Sequence, residues 1–355
     1  MNNDLMQILN FLKDQGFDAY VVGGYVRDYL LNIKSIDFDI CTNAKPCELE
    51  KIFMDHIISK NYGSFKIEYH NYFFEITSYR CDISYNNHRY PKIQYTNDLY
   101  TDLQRRDFTI NTICMDNTGK IIDLLNGIED LNNKLIKTVG DSDKKINEDV
   151  LRILRGIRFA TILDFRLDDE LIKSIKKYKY LLSNLSYTRK KEELDKIFKS
   201  SNVNYGIELL KDLALDKYLD INLDSVVTTD YMGIWYQVKA NNYPFTKHEK
   251  YILNNIDKVM NLDILDSINL YYNDLNICLI VADIKGIDRN IVNKLYNDLP
   301  IKNRCDINIS NKDLMNIVDN NKISQIITDI ENKIINKKLN NNYESILNYV
   351  RKTYL

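Results

Sequence analysis

Two carboxylates one residue apart, Asp37 and Asp39, have the spacing expected of a cation site. Residues 35–42 have the pattern of a β-strand, and side chains two positions apart on a strand leave the same face. Carboxylates held that close repel one another unless a cation lies between them. Two Mg²⁺ ions would relieve the repulsion, activate an attacking hydroxyl and stabilise a leaving oxygen in phosphoryl transfer. We expect a third carboxylate from a neighbouring strand, and Glu75, in a predicted strand over residues 72–79, is the best placed.

A pair of glycines precedes these carboxylates. Gly23 and Gly24 lie between a predicted strand over residues 18–22 and a predicted helix over residues 24–32. Without Cβ atoms they let the backbone approach a phosphate, and the helix N-terminus offers free N–H groups, with the guanidinium of Arg27 one turn further on. Each pattern alone is common, because glycine pairs often precede helices and Asp-x-Asp often lies on a solvated strand. Together, in this order, they favour a nucleotide triphosphate site.

A second charged cluster lies within residues 102–111, which read DLQRRDFTIN. Arg105 and Arg106 suit the phosphates of a nucleotide, and Asp107 suits a sugar hydroxyl. The alternative is a charged helix start, with Asp107 as its cap and Arg–Asp pairs on the surface. The cluster on its own favours that alternative.

Asp149 and Arg152 could read the edge of a base. Residues 147–163 have a helical apolar pattern, and positions three apart on a helix are neighbours on one face. The carboxylate would accept from the exocyclic amine of cytosine or adenine while the guanidinium donates to the adjacent ring nitrogen. Guanine and uracil present a carbonyl beside an N–H at that place, which would leave buried polar groups unpaired. The alternative is a surface salt bridge, the commoner reason for this spacing.

The elements that must position these residues change character near residue 140. Before it, short β-type runs alternate with helices, which predicts a small mixed sheet; after it, helical apolar faces predominate. The remaining predicted elements are a helix over residues 46–56, a strand over 65–70, a hairpin over 112–124, and helices over 168–183, 188–199 and 205–213.

Composition restricts the class of protein. The 355-residue chain has a formal net charge of −2, which excludes a generally basic nucleic-acid coat, so an RNA surface would be a local basic face. None of its six cysteines forms a C-x-x-C pair, which predicts reduced thiols in a cytoplasmic protein. The N-terminus lacks a signal-peptide pattern and no apolar run is long enough to cross a bilayer, so we expect no membrane partner.

The chain resembles the class II tRNA nucleotidyltransferase and poly(A) polymerase family in six motifs, which read in order GGYVRD, DFD, EITSYR, RRDFTIN, DLLNG and EDVLR. The resemblance covers residues 18–200. It implies an α+β fold, with a polymerase-β-like nucleotidyltransferase head built on a small mixed sheet, followed by an all-helical neck, body and tail. The expected boundaries are residues 1–140 for the catalytic head, 141–200 for the base-selecting neck, 201–270 for the body and 271–355 for the tRNA-binding tail.

The resemblance also implies roles for the site residues. Asp37 and Asp39 would bind Mg²⁺, the neck helix carrying Glu192 and Glu193 would steady the base-reading pair, and residues 123–127 would be a hinge between head and neck. The nucleotide would be held by Gly23, Gly24 and Arg27 at the triphosphate, Arg106 and Asp107 at the ribose, and Asp149 and Arg152 at the base, with Asn111, Arg155 and Arg158 nearby.

The implied activity is addition of C, C and A to a tRNA 3′ end from CTP and ATP, without a nucleic-acid template and with release of pyrophosphate. Alternatives are an A-adding tRNA nucleotidyltransferase, a bacterial poly(A) polymerase, a catalytically dead RNA-binding relative, or a nucleotidyltransferase acting on small molecules or proteins. The sequence leaves the oligomeric state open.

The helical half would contact the 3′ end and the acceptor and T arm of tRNA by shape and phosphates. Candidate contacts are Lys190, Lys191, Lys337, Lys338, Arg351 and Lys352, although most of these cations are explained as well by ordinary solubility.

The chain departs from the family between Glu75 and Arg105. Where the family often has a mobile loop with an acidic residue and then Arg-Arg-Pro, residues 82–91 read DISYNNHRYP, which begins with Asp82. Tyr90 replaces the second arginine. Because the loop is present, an enzyme limited to adding CC is not expected.

Overall fold

Nine short strands precede residue 123 in the computed structural model, which describes residues 2–61, 63–86 and 90–355. They are β1 Ala19–Val22, β2 Phe38–Thr42, β3 Ile57–Asn61, β4 Ser64–Tyr69, β5 Tyr72–Ser78, β6 Arg80–Asn86, β7 Tyr90–Tyr95, β8 Cys114–Met115 and β9 Ile121–Ile122. Seven of them form one sheet in the order β3-β4-β5-β2-β1-β8-β9, while β6 and β7 pair with each other. The predicted fold class, a head with a small mixed sheet and a helical remainder, is confirmed.

The centre of this sheet sets the register of the predicted carboxylates. β2 and β5 are parallel, whereas the other neighbouring pairs are antiparallel. Phe38 and Phe74 are opposite one another and buried, with stacked rings 5.0 Å apart. The next pair in register is therefore Asp39 and Glu75. Helices of the same region are α1 Asn3–Asp14, α2 Gly24–Leu30, α3 Pro46–Ile52, α4 Leu99–Gln104 and α5 Gly127–Asn132.

The predicted loop over residues 82–91 is wrong in its described part. β6 and β7 form an antiparallel hairpin, with Arg80 opposite Tyr95 and Asp82 opposite Ile93. Ile93 and Tyr95 of β7 are residue types that favour strands, because β-branched and aromatic side chains fit a pleated surface. Residues 87–89, which the loop prediction also covered, lie outside the described residues.

Helices dominate the chain after residue 140. Two short strands not predicted from sequence, β10 Leu135–Ile136 and β11 Arg166–Leu167, form a parallel pair. The helices up to Leu219 are α6 Ser142–Glu148, α7 Arg152–Leu163, α8 Asp169–Tyr178, α9 Tyr187–Phe198, α10 Val203–Asp212 and α11 Asp216–Leu219. These elements and the sheet belong to one compact unit, which ends at Ile221.

The predicted continuous helix over residues 147–163 is broken at Asp149, so the expectation that Asp149 and Arg152 share a helix face is wrong. Asp149 follows α6 in extended backbone geometry, with φ −146° and ψ 106°. Its carboxylate accepts a hydrogen bond from the N–H of Leu151 at 3.1 Å, just before α7 begins. Aspartate competes for backbone N–H groups in this way, which favours helix ends over helix interiors.

The second compact unit, from Asn222 to Leu355, is formed by eight α-helices within its described elements. Its core includes Ile277 and Val281 of one helix and Ile326 and Ile330 of another, and Trp235 is buried. The helices are α12 Tyr231–Gln237, α13 Lys247–Met260, α14 Ser267–Tyr272, α15 Leu275–Lys285, α16 Arg289–Asn297, α17 Asn311–Met315, α18 Ile323–Ile335 and α19 Tyr343–Tyr354. Throughout the described residues, no helix combines the length and apolar character needed to cross a membrane.

The DLLNG motif forms a tight turn into α5. The Asp123 carboxylate accepts hydrogen bonds from the N–H groups of Gly127 and Ile128, at 2.9 and 2.8 Å. Asn126 has a positive φ of 58°, which asparagine tolerates better than most residues. Gly127 packs directly against the short 3₁₀ helix Thr109–Asn111, so the turn supports the segment that carries Asn111.

Gly127→Ala should destabilise the first unit strongly. A Cβ at this position would lie 2.3 Å from the Thr109 carbonyl oxygen, a backbone atom that cannot rotate away. We expect a loss of about 3 kcal/mol or more in the free energy of unfolding, because overpacking against backbone forces the chain to shift. Urea titration measures the loss. The control is Gly119→Ala, which has open space at its Cβ and costs only the strain of its positive φ, about 1 kcal/mol. Equal losses for the two variants would contradict the packing argument.

Candidate active site

One cavity of about 560 Å³ in the first unit gathers most of the predicted site residues. The second unit has a larger cavity, of about 640 Å³, but its lining has one carboxylate and no arginine. The cavity of the first unit is lined by Gly23, Gly24, Arg27, Asp37, Asp39, Asp82, Arg105, Arg106, Asp107, Asn111, Asp149, Arg152, Arg155, Arg158 and Phe159. Of the residues predicted to bind the metal or the nucleotide, Glu75 is the one that does not line it.

The glycine turn forms one wall of the cavity. Gly23 has φ 80°, a conformation that side chains disfavour, and it precedes the first turn of α2. An added Cβ there would lie 3.7 Å from Arg106 Nη1 and 3.7 Å from Asp39 Oδ2. Arg27, one turn into α2, donates to Asn111 Oδ1 at 2.8 Å and pairs with Asp28 at 2.7 Å. The turn therefore brings backbone, cations and a carboxylate to the same space.

The carboxylates of Asp37 and Asp39 lie at the N-terminal end of β2, close to a further carboxylate, Glu75. The sequence predicted that Asp37 and Asp39 lie on one strand. In the structure β2 begins at Phe38, so Asp37, which is exposed, lies just before the strand. Burial, together with Asp37 and Glu75, raises the pKa of Asp39 to about 7. Oxygen donors that repel one another in this way suit a hard divalent cation. The donor set at Asp37 and Asp39 thus fits such an ion.

Glu75 is close enough to Asp39 to influence its charge but is turned to another partner. It accepts a hydrogen bond from Ser64 Oγ at 2.6 Å, across the β4–β5 pair. Within residues 2–61, 63–86 and 90–355, no group of three or more carboxylate, thiol or imidazole side chains is placed to hold a metal together. A role for Glu75 as the third carboxylate stays a prediction.

Asp107 of the RRD cluster forms an ion pair with a helix of the helical part of the chain, after residue 140. Arg155 of α7 donates to Asp107 Oδ2 through Nε at 2.7 Å and pairs with it through Nη2 at 2.6 Å. Asn111 donates to the other oxygen of Asp107 at 3.3 Å. Although burial opposes ionisation, Arg155 and Asn111 lower the pKa of Asp107 to about 2. Asp107 is therefore a fixed acceptor at the cavity wall, in place of the surface pair that its sequence context alone favoured.

Asp149 and Arg152 both reach the cavity, although from different backbone contexts. Both oxygens of Asp149 contact Arg189 Nη2 of α9, at 3.3 and 3.2 Å. Arg152 Nη1 donates to Glu148 at 2.8 Å and to the Lys145 carbonyl at 2.7 Å. Asp149 is thus oriented by a residue of a distant helix, and Arg152 by residues of α6, the helix just before it.

Two residues of this environment, Phe159 and Arg189, were missed by sequence reasoning, whereas Asp82, which also lines the cavity, stands where the family often has an acidic residue. The Phe159 ring has the guanidinium carbons of Arg158, Arg27 and Arg155 at 4.3, 5.2 and 5.5 Å from its centre. A single aromatic in the arginine-rich run of α7 was the available indication, since arginine stacks on aromatic faces. Arg189 had no comparable indication.

Helix α9, which is predicted from sequence to belong to a neck, contributes a buried ion pair. Arg158 Nη1 lies 3.2 Å from Glu193, and both side chains are almost fully buried. Glu192 is exposed. This ion pair links α7 to α9. It is consistent with the prediction that Glu193 helps to hold the base-reading pair in place, a role that stays a prediction.

Two of the candidate RNA contacts are wrong, because their side chains are buried. Lys190 is 2% exposed and donates to the Tyr218 carbonyl, and Lys191 is 8% exposed and pairs with Asp195. Lysines at these positions of α9 bury their stems and find local acceptors, as long cationic side chains can. The other four candidates, Lys337, Lys338, Arg351 and Lys352, are exposed.

Comparison with known families matches three parts of the chain. Residues 19–137 match the family described as "Poly A polymerase head domain". Residues 164–220 match "Probable RNA and SrmB- binding site of polymerase A", and residues 247–350 match "tRNA nucleotidyltransferase domain 2".

Curated relatives and solved structures extend the likeness to the whole chain. The CCA-adding enzyme of Staphylococcus haemolyticus is 31% identical, over 98% of this chain and 97% of its own, and that of Ligilactobacillus salivarius is 30% identical over 98% and 95%. The fold is that of the Bacillus stearothermophilus CCA-adding enzyme in complex with CTP, with TM-score 0.76 and 24% identity over 99% of this chain and 98% of the other. It is equally similar to the Thermotoga maritima CCA-adding enzyme complexed with tRNA, with TM-score 0.76 and 18% identity over 99% and 95%. The chain belongs to the CCA-adding enzyme family of nucleotidyltransferases.

Proposed function

We propose that this protein adds C, C and A to the 3′ end of tRNA from CTP and ATP, without a nucleic-acid template. The observation that carries the proposal is the single cavity in which the Asp37–Asp39 pair, the glycine turn with its arginines, and the Asp149–Arg152 pair lie together. These are the groups that cation binding, triphosphate binding and base choice require, in one space. Relatives named CCA-adding enzymes support the same assignment.

Enzymes of this family use divalent metal ions. We propose that Mg²⁺ is held by Asp37 and Asp39, whose crowded oxygen donors fit it, with Glu75 as the nearby third carboxylate. When bound, the ion supplies activation of the RNA 3′-hydroxyl and neutralisation of charge on the phosphates.

The chain's own groups bind and orient the nucleotide. Arg27 and Arg106, beside the glycine turn, offset the triphosphate charge, with backbone N–H groups of α2 as further donors. For Arg106 we follow the assignment to phosphate made from its charge, in place of the ribose position that the family resemblance implies, because its Nη1 lies beside the glycine turn. Asp107, fixed by Arg155, presents an acceptor for a ribose hydroxyl. Holding nucleotide and RNA end in line accounts for much of the rate, since phosphoryl transfer depends mostly on positioning and charge.

Base choice rests on Asp149 and Arg152. The carboxylate accepts from the exocyclic amine of cytosine or adenine, and the guanidinium donates to the neighbouring ring nitrogen. Guanine and uracil would face acceptor with acceptor and donor with donor, leaving desolvated polar groups unpaired.

The helical parts serve base selection and tRNA. We propose a catalytic head over residues 1–140, a base-selecting neck over 141–200, a body over 201–270 and a tRNA-binding tail over 271–355. The four exposed cations at the end of the chain, Lys337, Lys338, Arg351 and Lys352, are available for phosphate contacts in the tail. A cytoplasmic location follows from the proposed substrates.

Nucleotide dependence tests the proposal directly. Purified protein receives tRNA lacking its terminal nucleotides, with CTP alone, ATP alone or both. We expect two C's from CTP alone and a completed CCA end from both. Incorporation of ATP only, and only on tRNA ending in CC, would instead indicate an A-adding enzyme. Long A tails on tRNA would indicate a poly(A) polymerase.

A further inference from the structure

A fully buried carboxylate, Asp102, lies behind the cavity and has no part in the mechanism above. It is in α4, its side chain is 0% exposed, and it does not line the cavity. A buried ionised carboxylate is costly unless it is paired. Its partners therefore indicate what it does.

The two oxygens of Asp102 have different partners. Oδ1 accepts from the backbone N–H of Arg80 at 3.1 Å and from Arg105 Nε at 2.9 Å. Oδ2 pairs with Arg106 Nη2 at 3.5 Å. Oδ1 is thus anchored to β6 and to the end of α4, and Oδ2 is aimed at Arg106.

Arg106 is within the influence of a second carboxylate. Its other terminal nitrogen, Nη1, and Asp39 Oδ2 each lie 3.7 Å from the same point, where a Gly23 Cβ would be. The Arg106 side chain is 17% exposed, so its charge is only weakly screened by water. Without a competing carboxylate behind it, Arg106 would be drawn towards Asp39, across the space that the triphosphate needs.

We propose that Asp102 is a positioning residue for Arg106: its Oδ2 holds the guanidinium against the cavity wall, directed at the triphosphate, and keeps it from pairing with Asp39. The inference rests on the proposed function, because it assigns to Arg106 a bound triphosphate. It explains why a carboxylate is buried next to two arginines that the site needs as cations.

Asp102→Asn tests the role atom by atom. The amide oxygen can still accept from Arg80 and Arg105, but an NH₂ donor now faces the donors of Arg106. We expect the KM for CTP to rise about tenfold with kcat changed much less, the effect of losing one charge-assisted contact to a ligand-binding arginine. Steady-state CMP incorporation into tRNA lacking its last three nucleotides measures both constants. An unchanged KM in the folded variant would overturn the proposal.

A double-mutant cycle with Arg106→Gln separates positioning from a merely structural role. If Asp102 acts through Arg106, Asp102→Asn should raise the KM less than about threefold in the Arg106→Gln background. The full tenfold rise in both backgrounds would contradict the proposal. Asp98→Asn is the matched control: Asp98 caps the same helix through Thr101, and its loss should leave the KM for CTP at the wild-type value.

Asp102→Glu keeps the charge and provides a second variant if the asparagine variant does not fold. Its KM should stay within about threefold of wild type, and a tenfold rise in the folded protein would overturn the proposal. Wild-type protein that adds neither C nor A would defeat the proposed function itself. Normal wild-type activity with an unchanged KM in Asp102→Asn would defeat only the positioning role.

Discussion

Asp39→Asn should reduce nucleotide transfer by about a thousandfold or more, because cation-assisted charge stabilisation in phosphoryl transfer is worth several kcal/mol. The substitution keeps the shape of the side chain while removing the charge that a divalent cation requires. Incorporation of labelled CMP and AMP into truncated tRNA measures the loss. Asp55→Asn, an exposed carboxylate of the same unit that does not line the cavity, is the control and should remain fully active.

Loss of activity in Asp39→Asn should not come from loss of fold. Asp39 is crowded by Asp37 and Glu75, so removing its charge relieves repulsion when no cation is bound. In metal-free buffer we expect the variant to melt at the wild-type temperature or above it. A variant that retains transfer, or that loses it together with its thermal transition, would contradict the role given to Asp39.

Asp149→Ala should relax the choice of base. Without the carboxylate, the amine of cytosine and adenine loses its acceptor, and the carbonyl of guanine and uracil no longer faces an opposing acceptor. We expect the preference for CTP and ATP over GTP and UTP, compared as kcat/KM, to fall by about a hundredfold, since an unpaired buried polar group costs a few kcal/mol. Asp143→Ala is the control, because Asp143 lies in the same helical region but contacts Ser174 and Lys177.

The test depends on the ratio of kcat/KM for CTP and ATP to that for GTP and UTP, and not on the absolute rate of any one nucleotide. A variant that loses activity towards all four nucleotides equally, with its preference intact, would show that Asp149 supports the fold of the site without reading the base. Binding of metal at Asp37 and Asp39 should be unaffected in either case, because Asp149 belongs to another wall of the cavity.

Local sequence was sufficient to place the parts of the site that are close together along the chain. Gly23 and Gly24 are adjacent to a strand and a helix whose patterns are clear, and Asp39 lies on the following strand. The proximity of Glu75 also followed, because its strand has the same apolar alternation and pairs next to β2. Such positions depend on strand period and turn chemistry, which short segments determine.

Tertiary contacts decided the rest. Asp149 leaves the helix because its carboxylate caps the Leu151 N–H, a choice that apolar periodicity does not show. Its partner Arg189 is 40 positions further along the chain, so no spacing rule connects them. Lys190 and Lys191 look like surface cations in sequence, yet packing of α9 buries both. The β6–β7 hairpin was hidden because asparagine and proline suggest a loop within the same ten residues.

A crystal structure of the protein with CTP, Mg²⁺ and a non-reactive tRNA end tests the central assignment most directly. We expect Mg²⁺ within about 2.1 Å of oxygens from both Asp37 and Asp39, and the same ion in contact with the triphosphate beside Gly23. Density that puts the ion elsewhere, or the triphosphate outside the glycine turn, would contradict it.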